Sequence, residues 1–409
     1  MSEQVPAQWS NFYLKDVSFV NLMMRRIYNV LIVANPYDAF MLEDDGRVEE
    51  KIYNEYMELG LRYPPTFTQV STIEEASKVL NTVDIDLVIC MPGNADNDAF
   101  DVARAVKAEF PDIHCVVLTP FSHGITKRIQ NEDLSIFDYV FCWLGNTNLI
   151  LSIIKLMEDK MNIDNDIHEV GVQMILLVED SIRFYSSILP NLYSYILTQS
   201  QNFATEALTR HEASLRQRGR PKVVLARTYE EAWEIYQRYK DNCLGVISDV
   251  RFPINNVDEN TQTAAEGSVP VVEKDPEAGL KLLRAIRKED EYLPLIIESS
   301  ESENREKAEA EGFCFVDKNS KKMSVDLRRL LEEHMGFGDF IFRNPKTHEE
   351  VMRVRNLKEL QDNIFKIPRD SMLYHISRNH MSRWLSARAI FPVSSFLKGI
   401  TWHKLQDVD

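Results

Sequence analysis

The chain has 409 residues, 44% apolar and 27% charged, with 47 Lys and Arg against 63 Asp and Glu and a net charge of −16. That length accommodates about two to four domains with real cores, and the acidic balance argues against a general nucleic-acid or anionic-membrane surface. No apolar run reaches the ~18 residues of a bilayer span, and Met1–Ser10 lacks the basic and hydrophobic regions of a secretion signal, so neither a membrane partner nor export is expected.

Residues 1–27 read as an amino-terminal arm. From residue 28 to 161 short apolar runs, NVLIVA (29–34), DLVICM (86–91), HCVVLT (114–119) and DYVFCW (138–143), alternate with the helical patterns EEKIYNEYMEL, TIEEASKVL and FDVARAVKAEF. Such alternation predicts a parallel sheet covered on both faces. A helix near 147–161 closes the unit, and NIDNDIHE follows as a polar link. The same grammar then returns over 172–338, with runs at 172–178, 222–226, 244–248, 293–299 and 313–317 and helices near 181–198, 229–240, 276–288, 302–311 and 324–335. The expected fold is therefore α/β, two doubly wound parallel-sheet (flavodoxin-like) units in tandem. A polar insertion, 255–275, interrupts the second. Residues 339–409 show no strand series, are net basic, and read as a helical connector with helices near 347–363 and over SMLYHISRNHMSRWLSARAI, in a chain that looks like one module of a longer protein. The five cysteines, Cys90, Cys115, Cys142, Cys243 and Cys314, form no CxxC pair. They are expected as free core thiols in a reducing cytoplasm.

Ligands of open parallel sheets bind at the carboxyl ends of the strands. In the second unit those ends carry Glu179 and Asp180, then Asp249, Ser299 and Lys318. Three carboxylates on neighbouring ends need a cation between them, and a hard, oxygen-seeking Mg2+ suits them. With a hydroxyl and an ammonium beside them, the set matches what phosphoryl transfer onto an aspartate requires.

At these residues the chain resembles response-regulator receiver (CheY-like) domains: ILLVEDS (175–181), VISDVRFP (246–253), DPEAGLKLLRAIRKEDEYLPLIIESS (275–300) and VDKNS (316–320) follow the family's pattern in register. The resemblance implies that Asp249 is the phospho-acceptor and that Glu179, Asp180 and Asp249 hold Mg2+ with the backbone carbonyl of Arg251. It also implies that Ser299 is the switch hydroxyl and that Lys318 pairs with the phosphoryl group. It departs from the family in Ser for the commoner Thr, in Asn319 where a proline usually follows the lysine, and in Cys314 or Phe315 in place of the usual aromatic switch residue. The implied function is phosphorelay reception: a histidine kinase or small phosphodonor supplies the phosphoryl group, and an attached or partner module is regulated. The alternative is an unphosphorylated pseudo-receiver scaffold for docking or homodimerisation. A metal-dependent phosphatase using Asp249 would need a general acid two residues on, where Arg251 stands.

In the first unit the acidic-pair position reads Asn35-Pro36, the acceptor position is Met91, Thr119 keeps the hydroxyl, and the lysine position falls on Cys142 or Trp143. A thioether is a poor nucleophile toward phosphorus and a poor Mg2+ ligand. This unit is expected to be a degenerate receiver, and the acids Asp38, Glu43, Asp44 and Asp45 to be a solvated loop. RGRP (218–221), with Arg216 and Lys222, is read as a turn with solvated charges rather than a minor-groove hook. His375 and His380, five residues apart, fall on different faces of one helical pattern and are expected as structural histidines. Arg369, Arg378, Arg383 and Arg388 are spaced to form a basic surface, with Leu373, Trp384, Leu385 and Phe391 packing the helix down. Finally, KIPRDSMLYHISRNHMSRWLSARAIFPVSSFLK (366–398) is similar to a segment of bacterial multidomain proteins in which receiver-like modules precede phosphoenolpyruvate synthase or pyruvate phosphate dikinase-like machinery. That resemblance implies an amino-terminal regulatory part and lends the chain no such activity.

Overall fold

The computed structural model describes residues 21–40, 42, 47–91, 99–120, 136–254 and 274–399. Most of the amino-terminal arm, the acids Glu43, Asp44 and Asp45, insertion residues 255–273 and the final residues 400–409 lie outside the described set.

Both repeats form five-stranded, wholly parallel sheets. In the first, β1 (Asn29–Val33), β2 (Thr66–Val70), β3 (Leu87–Cys90), β4 (His114–Pro120) and β5 (Tyr139–Trp143) lie in the order β2-β1-β3-β4-β5. Helices α1 (Pro36–Phe40), α2 (Val48–Glu58), α3 (Ile73–Leu80) and α4 (Ala99–Glu109) flank it, and α5 (Asn148–Val170) leaves it. The second sheet repeats the order with β6 (Met174–Val178), β7 (Lys222–Ala226), β8 (Cys243–Asp249) and two later strands described below. Between β6 and β7 run α6 (Ile182–Thr205) and α7 (Arg210–Arg218), and α8 (Tyr229–Tyr239) precedes β8. A two-stranded stem, β9 (Phe252–Pro253) with β10 (Lys274–Asp275), brackets the insertion. Then come α9 (Ala278–Glu289), β11 (Leu295–Ser299), α10 (Glu303–Ala310), β12 (Cys314–Asp317) and α11 (Met323–His334), completing the order β7-β6-β8-β11-β12. This is the doubly wound flavodoxin-like fold twice over.

The repeat is visible in local chemistry. Thr72 caps α3 by accepting from Glu75 N while Glu75 accepts from Ser71 N; Thr228 and Glu231 do the same for α8 with Arg227 N. Each reciprocal pair satisfies two orphan donors of a helix start, and each sets a fully buried alanine, Ala76 and Ala232, against its sheet.

Three features differ from the sequence reading. β2 was absent from the apolar runs because it is an edge strand: only Val70 of TFTQV is buried. The expected polar link is instead the last turns of α5, a 23-residue helix. Its buried Glu158, Asn162 and Asp166 accept from Ile27 N, Arg25 N and Met23 N at 3.3, 2.9 and 3.1 Å. Four helical residues rise about 6.0 Å and two extended residues about 6.6 Å, so a polar stripe at i, i+4 spacing pairs with every second N–H of the arm. Asp159, on the same helix, takes a bidentate bond from buried Arg220 at 2.8 and 2.9 Å, and Asp166 takes Lys222 at 2.8 Å. Arg220 and Lys222 are thus interior ion-pair partners, and Arg216 is buried too, so these charges are not the solvated ones expected and are unavailable to a DNA groove.

The third difference is the carboxyl-terminal part. Where a helix near 347–363 was expected, β13 (Phe340–Arg343) and β14 (Glu350–Val354) form an antiparallel hairpin before α12 (Leu357–Asn363). Phe340 and Phe342 are buried while Ile341 and Arg343 are less so, a period of two that the eye reads as apolar clustering. The single helical pattern at 371–390 is two helices, α13 (Arg369–Ser377) and α14 (His380–Ala387), broken where Asn379 adopts φ 58°; α15 (Phe391–Gly399) follows. Arg383 and Arg388 are buried, so the expected basic surface is not formed. Trp384, Leu385 and Phe391 pack as expected, whereas Leu373 stays exposed.

α5 and α6 pack between the sheets, so one apolar core runs from Val30 and Phe141 through Tyr185 and Leu189 to Val223 and Phe337. All five cysteines are free, four of them buried and Cys314 partly so. No helix among the described residues is long and apolar enough to cross a membrane.

Candidate functional site

The second sheet brings together at its carboxyl edge the residues singled out in sequence. Glu179 and Asp180 follow β6, Asp249 ends β8, Ser299 ends β11 and Lys318 follows β12. Carboxylate oxygens of Glu179, Asp180 and Asp249 lie within 4.8 Å of one another. The ammonium of Lys318, buried, bonds Glu179 Oε2 and lies 2.7 Å from Asp249 Oδ1, over the ring of Phe184 at 4.5 Å. Its backbone N–H donates to Ser299 O at 3.0 Å, which fixes the lysine beside the hydroxyl strand. Ser299 Oγ is buried and accepts from Asn304 Nδ2 at 3.0 Å and Glu301 N at 3.1 Å, leaving its own proton free to be donated. Arg251 N approaches Asp249 Oδ2 at 3.4 Å, and its guanidinium pairs with Glu301 at 3.3 Å.

The strand that ends in Asp249 is held by a glycine. A Cβ on Gly279 would lie 1.9 Å from the Asp249 carbonyl oxygen, and Gly279 N donates to Val250 O at 3.0 Å. Only glycine lets α9 approach Asp249 this closely.

Two residues escaped the sequence reading. Lys274, at the foot of the insertion, reaches Asp180 Oδ2 at 2.5 Å and so completes a set of two ammonium groups on three acids. Glu298, fully buried and opposite Asp249 in the strand register, has both carboxylate oxygens without a hydrogen-bond partner among the described residues. The available signal was an acid ending an otherwise unbroken apolar run, LPLIIE. Burial raises the Glu298 carboxyl to about 7 against the pull of Lys318. Burial likewise raises Glu179 and Asp180, with Lys318 and Lys274 acting in the opposite sense. Burial disfavours the charge on Lys318, but Glu298, Glu179 and Asp249 together hold it firmly protonated.

The donor set suits a hard divalent cation. Asp180 Oδ1 is buried with no hydrogen-bond partner among the described residues and belongs to the three-carboxylate cluster, all oxygen ligands. A cation there would compete with Lys318 for Glu179 and Asp249 and with Lys274 for Asp180.

The first unit occupies the same positions with other chemistry. Strand register equates Val33 with Val178 and Cys90 with Ser248, because each pair closes the same ladder. The acidic-pair positions are therefore Ala34 and Asn35, one residue earlier than the Asn35-Pro36 of the sequence reading. Met91 stands at Asp249, Thr119 at Ser299, Leu118 at Glu298 and Trp143 at Lys318. Asn35 accepts from Tyr37 N and Asp38 N at 2.9 Å and donates to Asp38 Oδ2 at 2.7 Å, so Asp38 is engaged in a local turn.

No family model and no curated protein matches the chain. Similar solved structures include the signal receiver domain of a protein assigned as the LuxO repressor of Vibrio parahaemolyticus, 13% identical over 34% of this chain and 96% of that one, with a TM-score of 0.26. Two chains described as two-component response regulator/GGDEF domain proteins are 14% and 12% identical, each covering 74% of this chain and 99% of their own, both with a TM-score of 0.29.

Proposed function

We propose that the second unit is a phosphorelay receiver that accepts a phosphoryl group on Asp249. The observation that carries this reading is the convergence of an accessible carboxylate, Asp249, with a buried ammonium at 2.7 Å and two further acids on one sheet edge. In the proposed step an Asp249 carboxylate oxygen attacks phosphorus in line. The bond from phosphorus to the donor's histidine nitrogen or acyl oxygen breaks with its electron pair, and an acyl phosphate forms. Mg2+ held by Glu179, Asp180, Asp249 and the Arg251 carbonyl would neutralise charge on the phosphoryl oxygens. Lys318 keeps its proton, releases Asp249 and pairs with one phosphoryl oxygen; Ser299 exchanges its contacts with Asn304 and Glu301 for a bond donated to another. That exchange alters the loop after β11 and is the proposed output, read by an attached or partner module. The similarity of 366–398 to phosphoenolpyruvate synthase-associated proteins supplies one class of module, and a histidine kinase or small acyl phosphate supplies the donor.

Lys274 favours the second reading, an unphosphorylated scaffold: with Lys318 it neutralises much of the acidic cluster from within the chain. Intact-protein mass spectrometry after incubation with acetyl phosphate and Mg2+ separates the two. One phosphoryl adduct, lost in Asp249→Ala and on chelation, is the expected result. No adduct, together with no binding of beryllofluoride and Mg2+, replaces the receiver reading with the scaffold.

A further inference from the structure

At the opposite end of the second sheet, a cleft of about 970 Å3 opens between the receiver-like unit and the carboxyl-terminal hairpin and helices. Leu295 and Cys314, at the amino ends of β11 and β12, help line it, so it is separate from the Asp249 edge. Its volume is that of a small-molecule site, typically ~300–1,000 Å3.

Its charges are unusual. Arg383 and Arg388 line it and are buried, yet neither has a carboxylate within ion-pair distance among the described residues. Arg383 donates to the carbonyls of Tyr292 and Arg378, at 2.6 and 3.2 Å. Arg388 donates to those of Gly336 and Gly338, at 2.7 and 2.9 Å, and to that of Trp384 at 3.2 Å; its Nε has no hydrogen-bond partner among the described residues. Arg388 also stacks on Phe203 and Trp384 at 4.3 and 3.9 Å. Asp290 acts on Arg383, and Glu206 and Asp339 on Arg388, only from beyond ion-pair distance, so burial leaves much of the guanidinium charge uncompensated, at substantial cost. Toward solvent the cleft adds Arg343, whose guanidinium donates to His348 O at 3.1 Å, and Arg355, whose guanidinium has no partner among the described residues. The acids on the lining are mostly engaged: Asp339 with Arg353, Glu333 with Arg329, and Glu332 with Tyr195 OH, while Glu291 is exposed.

The histidines add a directed donor. Because Arg343 N donates to His375 Nε2 at 2.9 Å, the ring proton of neutral His375 sits on Nδ1. That proton is donated to His380 Nδ1 at 3.0 Å, which leaves the His380 proton on Nε2. Burial first, then Arg343 and Arg378 around His375 and Arg383 around His380, lower these rings to about 4 and about 3. Both are therefore neutral at physiological pH, and His380 presents an N–H rather than a nucleophilic lone pair. The positive field that depresses them is the field an anion would meet.

We propose that this cleft binds a small organic anion with at least two negative charges, a phosphate ester or a polycarboxylate, seated among Arg343, Arg355, Arg383, Arg388 and the His380 N–H. Bridging the receiver-like unit and the carboxyl-terminal part, such a ligand would favour their closed arrangement. The assignment is independent of phosphorylation at Asp249.

Thermal unfolding of the full chain, in EDTA and at constant ionic strength, tests it with pyrophosphate and citrate as probes. The expected result is a saturable rise in Tm with at least one probe. Pyrophosphate alone would indicate phosphate esters, citrate alone polycarboxylates, and both the shared charge. Exposed Arg355→Ala should weaken apparent affinity about tenfold. Arg383→Met should leave the unliganded Tm equal or higher, because a buried uncompensated charge is gone, and should abolish the ligand-dependent rise. No saturable rise with either probe, or equal rises in both variants, overturns the proposal.

Discussion

The two α/β units share strand order, register and even a capping box, yet apart from the hydroxyl that Thr119 and Ser299 have in common they differ at every position of the carboxyl-edge cluster. Ala34, Asn35, Met91, Leu118 and Trp143 in one stand where Glu179, Asp180, Asp249, Glu298 and Lys318 stand in the other. The fold is therefore indifferent to the site. Its sheets are specified by Val, Ile and Leu facing both layers, and the strand ends are free to vary. The comparison also exposes what the second unit sustains: buried carboxylates and an ammonium in place of Leu, Met and Trp. Such a cluster is a weak source of stability as a whole, but breaking it is expensive.

Lys318→Met should sharpen that contrast most. It leaves Glu179 and Glu298 buried without their cation, and the expected loss is about 3–5 kcal/mol, read by urea unfolding in EDTA. The corresponding change in the first unit, Trp143→Leu, removes packing only and should cost under about 2 kcal/mol. Equal losses at the two positions would show that Lys318 is not the charge on which the pocket depends. Mg2+ should recover part of the Lys318→Met loss, since the proposed cation would occupy the same carboxylates in the native state.

Glu298→Leu converts the acid into its first-unit counterpart, Leu118, and tests the comparison in the opposite direction. The Glu298 carboxyl is raised from 4.5 to about 7 in the folded chain. The native state then holds a proton that the unfolded state has released, so stability falls as pH rises from 4.5 through 7. Removing the acid should stabilise the chain by roughly 1–3 kcal/mol above that window and by progressively less below it. A gain independent of pH would mean that leucine merely packs better.

Much of this contrast was legible before any coordinates. Strands β1, β3, β4 and β5 are dominated by apolar runs, and Asp249, Ser299 and Lys318 each end or follow such a run, so order along the chain was enough to group them. β2 was not legible, because an edge strand with one buried residue carries little periodic signal. Nor was the β13–β14 hairpin, where Phe340 and Phe342 alternate too briefly to outweigh the helical pattern beyond. Lys274 and Glu298 were hidden for different reasons. Lys274 comes to Asp180 only because β9 and β10 close the foot of a long insertion. Glu298 sits on an apolar strand whose neighbours conceal an acid. The histidine pair depended on Asn379, whose positive φ breaks one helix into two and brings rings five residues apart to 3.0 Å.

The smallest expected effect concerns Lys274, the residue at the foot of the insertion. Its ammonium is about half exposed, so its pair with Asp180 contributes only about 0–1 kcal/mol to stability. Lys274→Ala should leave the unfolding midpoint nearly unchanged. The same pair matters more to a cation, which must displace the ammonium to reach both oxygens of Asp180. Its removal should tighten Mg2+ binding about two- to fivefold, measured by calorimetric titration. Unchanged or weaker binding would mean that Lys274 does not compete for Asp180 in solution. The insertion would then be a neutral addition to the receiver-like edge rather than a restraint on it.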